Sequence, residues 1–321
     1  MSQVLLDSFE SILAPANLLN AWERVRDNRG CRGSDGETIR GFAQGGFARL
    51  QSLVDDIRSG DYAPYPLLRF PVPKRNSSSV RYLSVPTVRD RVAQAAAYLA
   101  LKDAFEHEFE EVSHAYREGR GVHTALENIR RLRKQGFRYA VDADVAAFFD
   151  NVPHERLLAK IDKLFAGDKR LVDLFEKWIR VEVYDGQTIR ALDKGIPQGS
   201  VVSPMLANLF LDELDETLMH FDRKLVRYAD DFLVLSRSPE EAAQNLELTE
   251  MVLEEMQLKL NPKKTEIVDF DRGFKFLGAI FLLDDFYQPL PKRQKPPPPV
   301  ELPPPLTLKR YFELRWRSRT G

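Results

Sequence analysis

Apolar residues recur at helical spacing in NLLNAWERVRDN (17–28) and in FARLQSLVDDIRSG (47–60), which ends on a glycine stop signal. Residues 1–60 are therefore predicted to be helical around a glycine-rich loop, NRGCRGSDGET. The period then changes. LLRFPVPK and VRYLSV, within 67–85, alternate as strands around the turn RNSSS, and Pro71 and Pro73 suit an edge hairpin. Residues 87–112 return to a helical pattern. In FRYAVDADVAAFFDNV (137–152), Tyr139, Val141, Ala143 and Val145 alternate with Asp142 and Asp144, so both acids share one face of a strand. HERLLAKIDKLF and the segment after it read as helices, and residues 181–195 as a hairpin with an Asp-Gly turn. Ser203 and Pro204 supply an N-cap and first-turn pair for MLANLFLDELDETLMHF. A second hairpin, a helix over 238–258 and strands TEIVDF and FKFLGAIFL complete the pattern. The alternation predicts an α+β fold with a largely antiparallel sheet backed by helices.

The second hairpin contains RYADDFLVL (227–235), where Asp230 and Asp231 interrupt an apolar run. Unpaired carboxylates are costly to bury. A solvated turn would explain one acidic pair, but apolar strands on both sides oppose that reading. If the strand holding Asp144 lies beside this hairpin, three carboxylates converge and need a positive partner. Hard divalent cations with oxygen ligands, Mg²⁺ above all, fit such a cluster. GIPQGSVVSPMLANLFLDELD (195–215) adds a tight Pro-Gln-Gly-Ser turn before a helix start. There Gly199 permits close approach to the backbone and free amides favour an anion.

Composition changes this picture little. Hydrophobic residues make up 43% and charged residues 30% of 321, enough for a sizeable core. The single cysteine, Cys31, excludes a disulfide framework and suits a reducing compartment, so a cytoplasmic location is expected. No signal peptide or membrane-spanning apolar run is apparent, and no membrane partner is expected. His114, His123, His154 and Cys31 match no metal-ligand spacing. The net charge of −1 does not mark a nucleic-acid binder, yet REGRGVHTALENIRRLRKQGFR (117–138) is strongly basic, through Arg117, Arg120, Arg130, Arg131, Arg133, Lys134 and Arg138. It reads either as a solvated face or as a surface that tracks template phosphate. Past residue 288, PLPKRQKPPPPVELPPP reads as polyproline II, a spacer of about 40 Å over 292–305, before the basic, aromatic end LTLKRYFELRWRSRTG.

Taken together these segments resemble the bacterial reverse transcriptases of the group II intron-like and CRISPR-associated type. RYADDFLVLS resembles that family's Tyr-x-Asp-Asp box, YAVDADVAAFFDNVPHERLL its first aspartate box, and PQGSVVSPMLANLFLDELD its Pro-Gln-Gly box. FPVPKRNSSSVRYLSVPTVRDRVAQ resembles the fingers segment, SHAYREGRGVHTAL the block after it, and LNPKKTEIVDF with FKFLG the last palm blocks. NRGCRGSDGETIRGF resembles the N-terminal extension of intron-type enzymes.

The resemblance implies a right-hand polymerase fold: an N-terminal helical extension over 1–60, fingers over 61–136, an antiparallel palm over 137–287, and a proline-rich linker and basic tail over 288–321. A thumb is expected to be absent or rudimentary. It implies an RNA-directed DNA polymerase that takes an RNA template, a DNA or RNA primer and dNTPs. Two Mg²⁺ ions, with Mn²⁺ as a substitute, are held by Asp144, Asp230 and Asp231. Asp144 rather than Asp142 takes the ligand position, and Asp230 is the indispensable acid of its pair. Lys74 and Arg81 match triphosphate contacts, Gln198 and Gly199 the incoming-nucleotide loop, and Phe149 the aromatic position that favours deoxyribose. Lys264 matches the lysine that protonates leaving pyrophosphate, with Lys263 a neighbouring alternative. The proline spacer fits a tether, so a CRISPR integrase, fused or separate, is the expected partner in spacer acquisition from RNA, an antiviral role. The alternative is an intron-type reverse transcriptase, maturase or RNA-holding assembly subunit.

Overall fold

The computed structural model describes residues 8–73, 80–289 and 300–320. In chain order the first half comprises α1 (Ser8–Leu13), α2 (Pro15–Asp27), α3 (Ile39–Ser59), β1 (Leu67–Pro73), β2 (Val80–Val85), α4 (Val88–Glu108), α5 (Val122–Lys134) and β3 (Tyr139–Asp144). Then come α6 (Phe148–Asn151), α7 (His154–Leu164), α8 (Lys169–Ile179), β4 (Val183–Tyr184), β5 (Ile189–Arg190) and α9 (Ser203–His220). The remainder is β6 (Lys224–Tyr228), β7 (Asp231–Ser236), α10 (Pro239–Glu255), β8 (Glu266–Asp269), β9 (Phe274–Phe276), β10 (Ala279–Leu282), β11 (Asp285–Tyr287) and α11 (Leu308–Thr320). These elements form two compact units, one from residues 1–104, 154–203 and 296–321, the other from 105–153 and 204–295. Among the described residues no helix is long and apolar enough to cross a membrane.

The first unit holds a four-stranded sheet in the order β2-β1-β4-β5. β1 pairs antiparallel with β2 along its length but meets β4, in parallel, only at Leu67 and Leu68. Pro71 and Pro73 lie beyond that short pairing, where a missing N–H costs no ladder bond. Helix α3 begins ahead of the predicted segment, capped by the Thr38 side chain, bends at Gly46 (φ 47°, ψ −134°) and stops at Gly60 (φ 84°). Its neighbours enclose a buried polar knot. Trp178 Nε1 donates to the Tyr62 hydroxyl (3.0 Å), which donates to Asp90 Oδ1 (2.8 Å). Thr87 Oγ1 (2.7 Å) and the Tyr65 amide (3.0 Å) bond Asp90 Oδ2.

Part of the predicted spacer, residues 290–299, lies outside the described residues. The part that follows is packed. Pro303 accepts from Arg32 Nη2 (2.5 Å), and the Leu306 amide donates to Ser34 (2.7 Å). Leu314 of α11 is buried with Leu68, Phe70, Tyr184 and Ile189, while Tyr311 and Arg315 both bond Glu182. Apolar contact and an ion pair thus fix this end of the chain to the first unit, where polyproline composition alone suggested an extended tether.

The second unit is built on an antiparallel sheet in the order β6-β7-β3-β8. The predicted α+β architecture with an antiparallel palm sheet is what the chain adopts. One sheet face places Ala140, Val226, Leu233, Leu235 and Val268 in a core with Ala125, Leu126 and Ile129 of α5. The register carries Asp142, Asp144 and Asp231 on that same face, toward the β6–β7 turn. Helix α10, capped at Ser238, packs on β3 and β7. FKFLGAIFL folds as a hairpin rather than a single strand. Leu277 (φ 47°) and Gly278 (φ 77°) take the two left-handed positions of a tight turn between β9 and β10.

Removing the Tyr62 hydroxyl leaves Trp178 and Asp90 each short of a buried partner. Tyr62→Phe is expected to lower stability by about 1–3 kcal/mol, measured by urea denaturation; wild-type stability would contradict the bonding described.

Candidate active site

Strand β3 runs antiparallel to β7, with Asp144 directly opposite Asp231. Side chains in such positions have Cβ atoms about 4.5–5.5 Å apart. Asp230 lies in the two-residue turn joining β6 to β7. The three acids singled out in the sequence therefore meet at one end of the sheet. The turn is strained: Ala229 sits at φ 59°, in the left-handed region that non-glycine residues avoid. The Asp230 carbonyl accepts from the Val145 amide (3.2 Å), tying the turn to the end of β3.

Asp144 is buried, and its carboxylate is fully engaged. Lys264 Nζ lies 2.5 Å from Oδ2 and Asn261 Nδ2 lies 2.9 Å from Oδ1. The Asn261 amide also donates to the Asp144 carbonyl (2.8 Å). Burial works against the charged form of Lys264, but the hydrogen bond to Asp144 and the charges of Asp144, Asp231 and Asp230 outweigh it and raise its pKa. Both adjacent lysines are exposed, and it is Lys264 that reaches the cluster, through Asp144. Asn261 escaped the sequence reading; its place in LNPKK, just before the lysines, was the available signal.

Asp231 is pushed up to about 7 by burial first, then by the charges of Asp230 and Asp144. Asp142 is also pushed up to about 7, by burial and then by Asp231, Glu266 and Asp144. The site thus holds more negative charge than its surroundings neutralise. Among the described residues no three Asp, Glu, His or Cys groups close a metal cage by themselves. The donor chemistry nevertheless fits a hard divalent cation: carboxylate oxygens dominate, and the Lys264 ammonium stands where positive charge is needed. His114 bonds Thr124 and His154 bonds the Gly195 carbonyl.

Lys74 lies outside the described residues. Arg81 is exposed on β2, opposite Val72. The Gln198 carbonyl accepts from the Ser84 amide (2.7 Å), and Ser200 Oγ donates to Gln94 Oε1 (3.0 Å). Gly199 has φ 114°, and a Cβ there would lie 3.2 Å from the Ser84 carbonyl oxygen. Its freedom therefore serves a tight protein contact, whereas close approach to a ligand was expected. Ser203 is the first residue of α9 rather than its cap, and its buried hydroxyl has no hydrogen-bond partner among the described residues. Phe149, in the second unit, is half-buried edge-on against Phe148 (centroids 5.3 Å apart), which packs on Phe210.

Several cations of the basic segment 117–138 are paired within the protein. Arg117 is buried and bonds Glu106 and the Ser113 carbonyl. Arg133 and Arg138 pair with Asp271, and Arg130 pairs with Glu127. Acids near and distant in sequence thus pair with part of the basic run, while Arg131, Lys134 and Arg138 stay exposed on it.

Antiparallel strands with helices behind them and carboxylates at one end form the palm of a right-hand polymerase. The family model for reverse transcriptase (RNA-dependent DNA polymerase) matches residues 72–281, and the chain belongs to that family. It is 30% identical over 229 residues to the group II intron-encoded protein LtrA of Lactococcus lactis subsp. cremoris, covering 71% of this chain but 37% of that protein. Protein YkfC of Escherichia coli (strain K12) is 31% identical over 268 residues, 71% of this chain and 70% of that protein. Among solved structures, telomerase from Candida albicans in complex with a telomeric RNA fragment shares the fold, with TM-score 0.55 and 16% identity over 72% of this chain and 47% of that one. A partial Cas6-RT-Cas1–Cas2 complex gives TM-score 0.48 and 26% identity over 78% of this chain and 41% of that one.

Asp212, like Asp142 and Asp231, is pushed up to about 7, by burial and then by Asp215 and Glu216. All three sit above the ordinary carboxyl range of about 4, so the folded state binds more protons than the unfolded chain between about pH 4 and 7. Their contribution to stability is lost as pH rises through 7. The metal-free protein is expected to melt at lower temperature as pH is raised from about 5 to 7.5, with a shallower slope in Asp142→Asn. An identical slope in the variant would contradict these shifts.

Proposed function

We propose that this chain is an RNA-directed DNA polymerase, adding dNTPs to a primer 3′-hydroxyl on an RNA template. The observation that carries the reading is the pairing of Asp144 with Asp231 beside the Asp230 turn, at the end of an antiparallel sheet in a reverse transcriptase-family chain. Asp144 and Asp230, assisted by Asp231, would hold two Mg²⁺, or Mn²⁺ in their place. Those ions, when bound, supply activation of the 3′-hydroxyl and neutralisation of phosphate charge. Lys264 is held protonated beside Asp144 and would offer its proton to the leaving pyrophosphate. Asn261 keeps Asp144 in place. Phe149 presents a ring that disfavours a 2′-hydroxyl. Arg81 and Lys74 are assigned the triphosphate, and Gln198 and Gly199 the incoming-nucleotide loop, on motif resemblance.

The likeness to an intron-encoded protein supports the alternative of an intron-type enzyme. A place in CRISPR spacer acquisition beside an integrase, in the cytoplasm, rests on the motif resemblance, and an integrase gene adjoining this one would support it. A protein that only holds RNA has no use for three acids at one sheet end, since they repel phosphate.

The test is labelled dNTP incorporation on an RNA template with a DNA primer and Mg²⁺. Asp230→Ala and Asp144→Ala are expected to lose activity by about 10²–10³-fold or more while RNA affinity is kept. Asp231→Ala should fall less than Asp230→Ala. Equal incorporation by wild type and Asp230→Ala contradicts the mechanism. Phe149→Ala is expected to raise rNTP use relative to dNTP, read in the same assay; an unchanged ratio removes Phe149 from sugar selection.

A further inference from the structure

The β6–β7 turn rests on a buried charge. Arg227 is wholly buried, as are Asp215 and Asn208 of α9. Its guanidinium makes a bidentate pair with Asp215, Nε to Oδ1 at 2.7 Å and Nη2 to Oδ2 at 2.5 Å. The remaining fork nitrogen, Nη1, donates both to Asn208 Oδ1 (3.0 Å) and to the carbonyl of Ala229 (3.2 Å). Asn208 and Asp215 are seven residues apart, two helical turns, and so share one face of α9. Asn208 is itself held, donating from Nδ2 to the Ala115 carbonyl (2.8 Å). The Arg227 backbone is pinned too: its N–H donates to Val112 (2.8 Å) and its carbonyl accepts from His114 (2.9 Å). By strand alternation, Arg227 projects from the sheet face opposite Asp231.

We propose that Arg227 is a positioning residue, which fixes the strained Ala229 carbonyl and so aims Asp230 and Asp231; the proposal rests on the polymerase reading above for what those acids do. Two features carry it. Ala229 holds a left-handed conformation at no glycine, so its surroundings must impose it. Also, a buried ion pair contributes little net stability over apolar residues of equal volume. The planar fork, by contrast, reaches a helix carboxylate, a helix amide and a turn carbonyl at once, which no single-nitrogen cation can do.

The test uses the full chain as wild type, the apolar double variant D215L/R227M, and R227K. Thermal midpoint, Mn²⁺ affinity by electron paramagnetic resonance, and the Mg²⁺ concentration giving half-maximal primer extension are read for each. The double variant is expected to melt within a few degrees of wild type, yet to bind Mn²⁺ about tenfold more weakly and to need correspondingly more Mg²⁺. R227K, which keeps a cation for Asp215 but loses the span to Ala229, is expected to fall between them. Wild-type Mn²⁺ affinity and Mg²⁺ requirement in a folded D215L/R227M overturn the proposal. Should that variant not fold, R227K decides: weaker Mn²⁺ binding at unchanged melting supports positioning, and unchanged binding overturns it. A wild type that binds Mn²⁺ but extends no primer refutes the polymerase reading and leaves the Mn²⁺ comparison to judge Arg227.

Discussion

Asp144 and Asp231 face each other across β3 and β7 at the end of a sheet whose centre is apolar, and like charges in that relation weaken strand pairing. The surroundings manage the cost in two ways. Lys264 and Asn261 take both oxygens of Asp144, and burial keeps Asp231 and Asp142 protonated up to about pH 7. Both devices are reversible. A proton that a cation can replace and a lysine that can be displaced are what the divalent-metal site proposed above requires.

The rest of the second unit serves this juxtaposition. The register that buries Ala140, Leu233 and Leu235 against α5 is also the register that brings the acids together, because side chains alternate strictly along a strand. A slip of one residue would expose the core and separate the carboxylates together, so packing and chemistry select the same pairing. On the opposite face Arg227 and Asp215 support the turn from below. In the first unit, Ser84 and Gln94 hold the Pro-Gln-Gly loop by its backbone and by Ser200.

Much of this was legible in the chain. Alternation in YAVDAD placed Asp144 on a strand, the apolar flanks of YADD placed two acids in a hairpin, and the order of boxes made the strand and the hairpin neighbours. What stayed hidden depends on long-range partners. The pairing of Arg117, Arg133 and Arg138 with Glu106, Asp271 and Asp269 could not be read from the basic run of 117–138. The close contact between Gly199 and the Ser84 backbone had no local signal either. Leu277 broke an apparently continuous strand by taking a positive φ, which leucine rarely does and no local pattern announces. Arg227 reads as a misplaced charge in LVRY, and only the fold supplies Asp215 and Asn208 to explain it.

We propose that the acids of β3 and the β6–β7 turn form a divalent-cation site for which Lys264 is the stand-in. Anomalous diffraction from crystals of the full chain soaked in Mn²⁺ tests it most directly. The expected result is a manganese peak bonded to Asp144 and Asp230, with the Lys264 ammonium moved off Asp144. Lys264 still bonded to Asp144, with no peak at these carboxylates under saturating Mn²⁺, would contradict it.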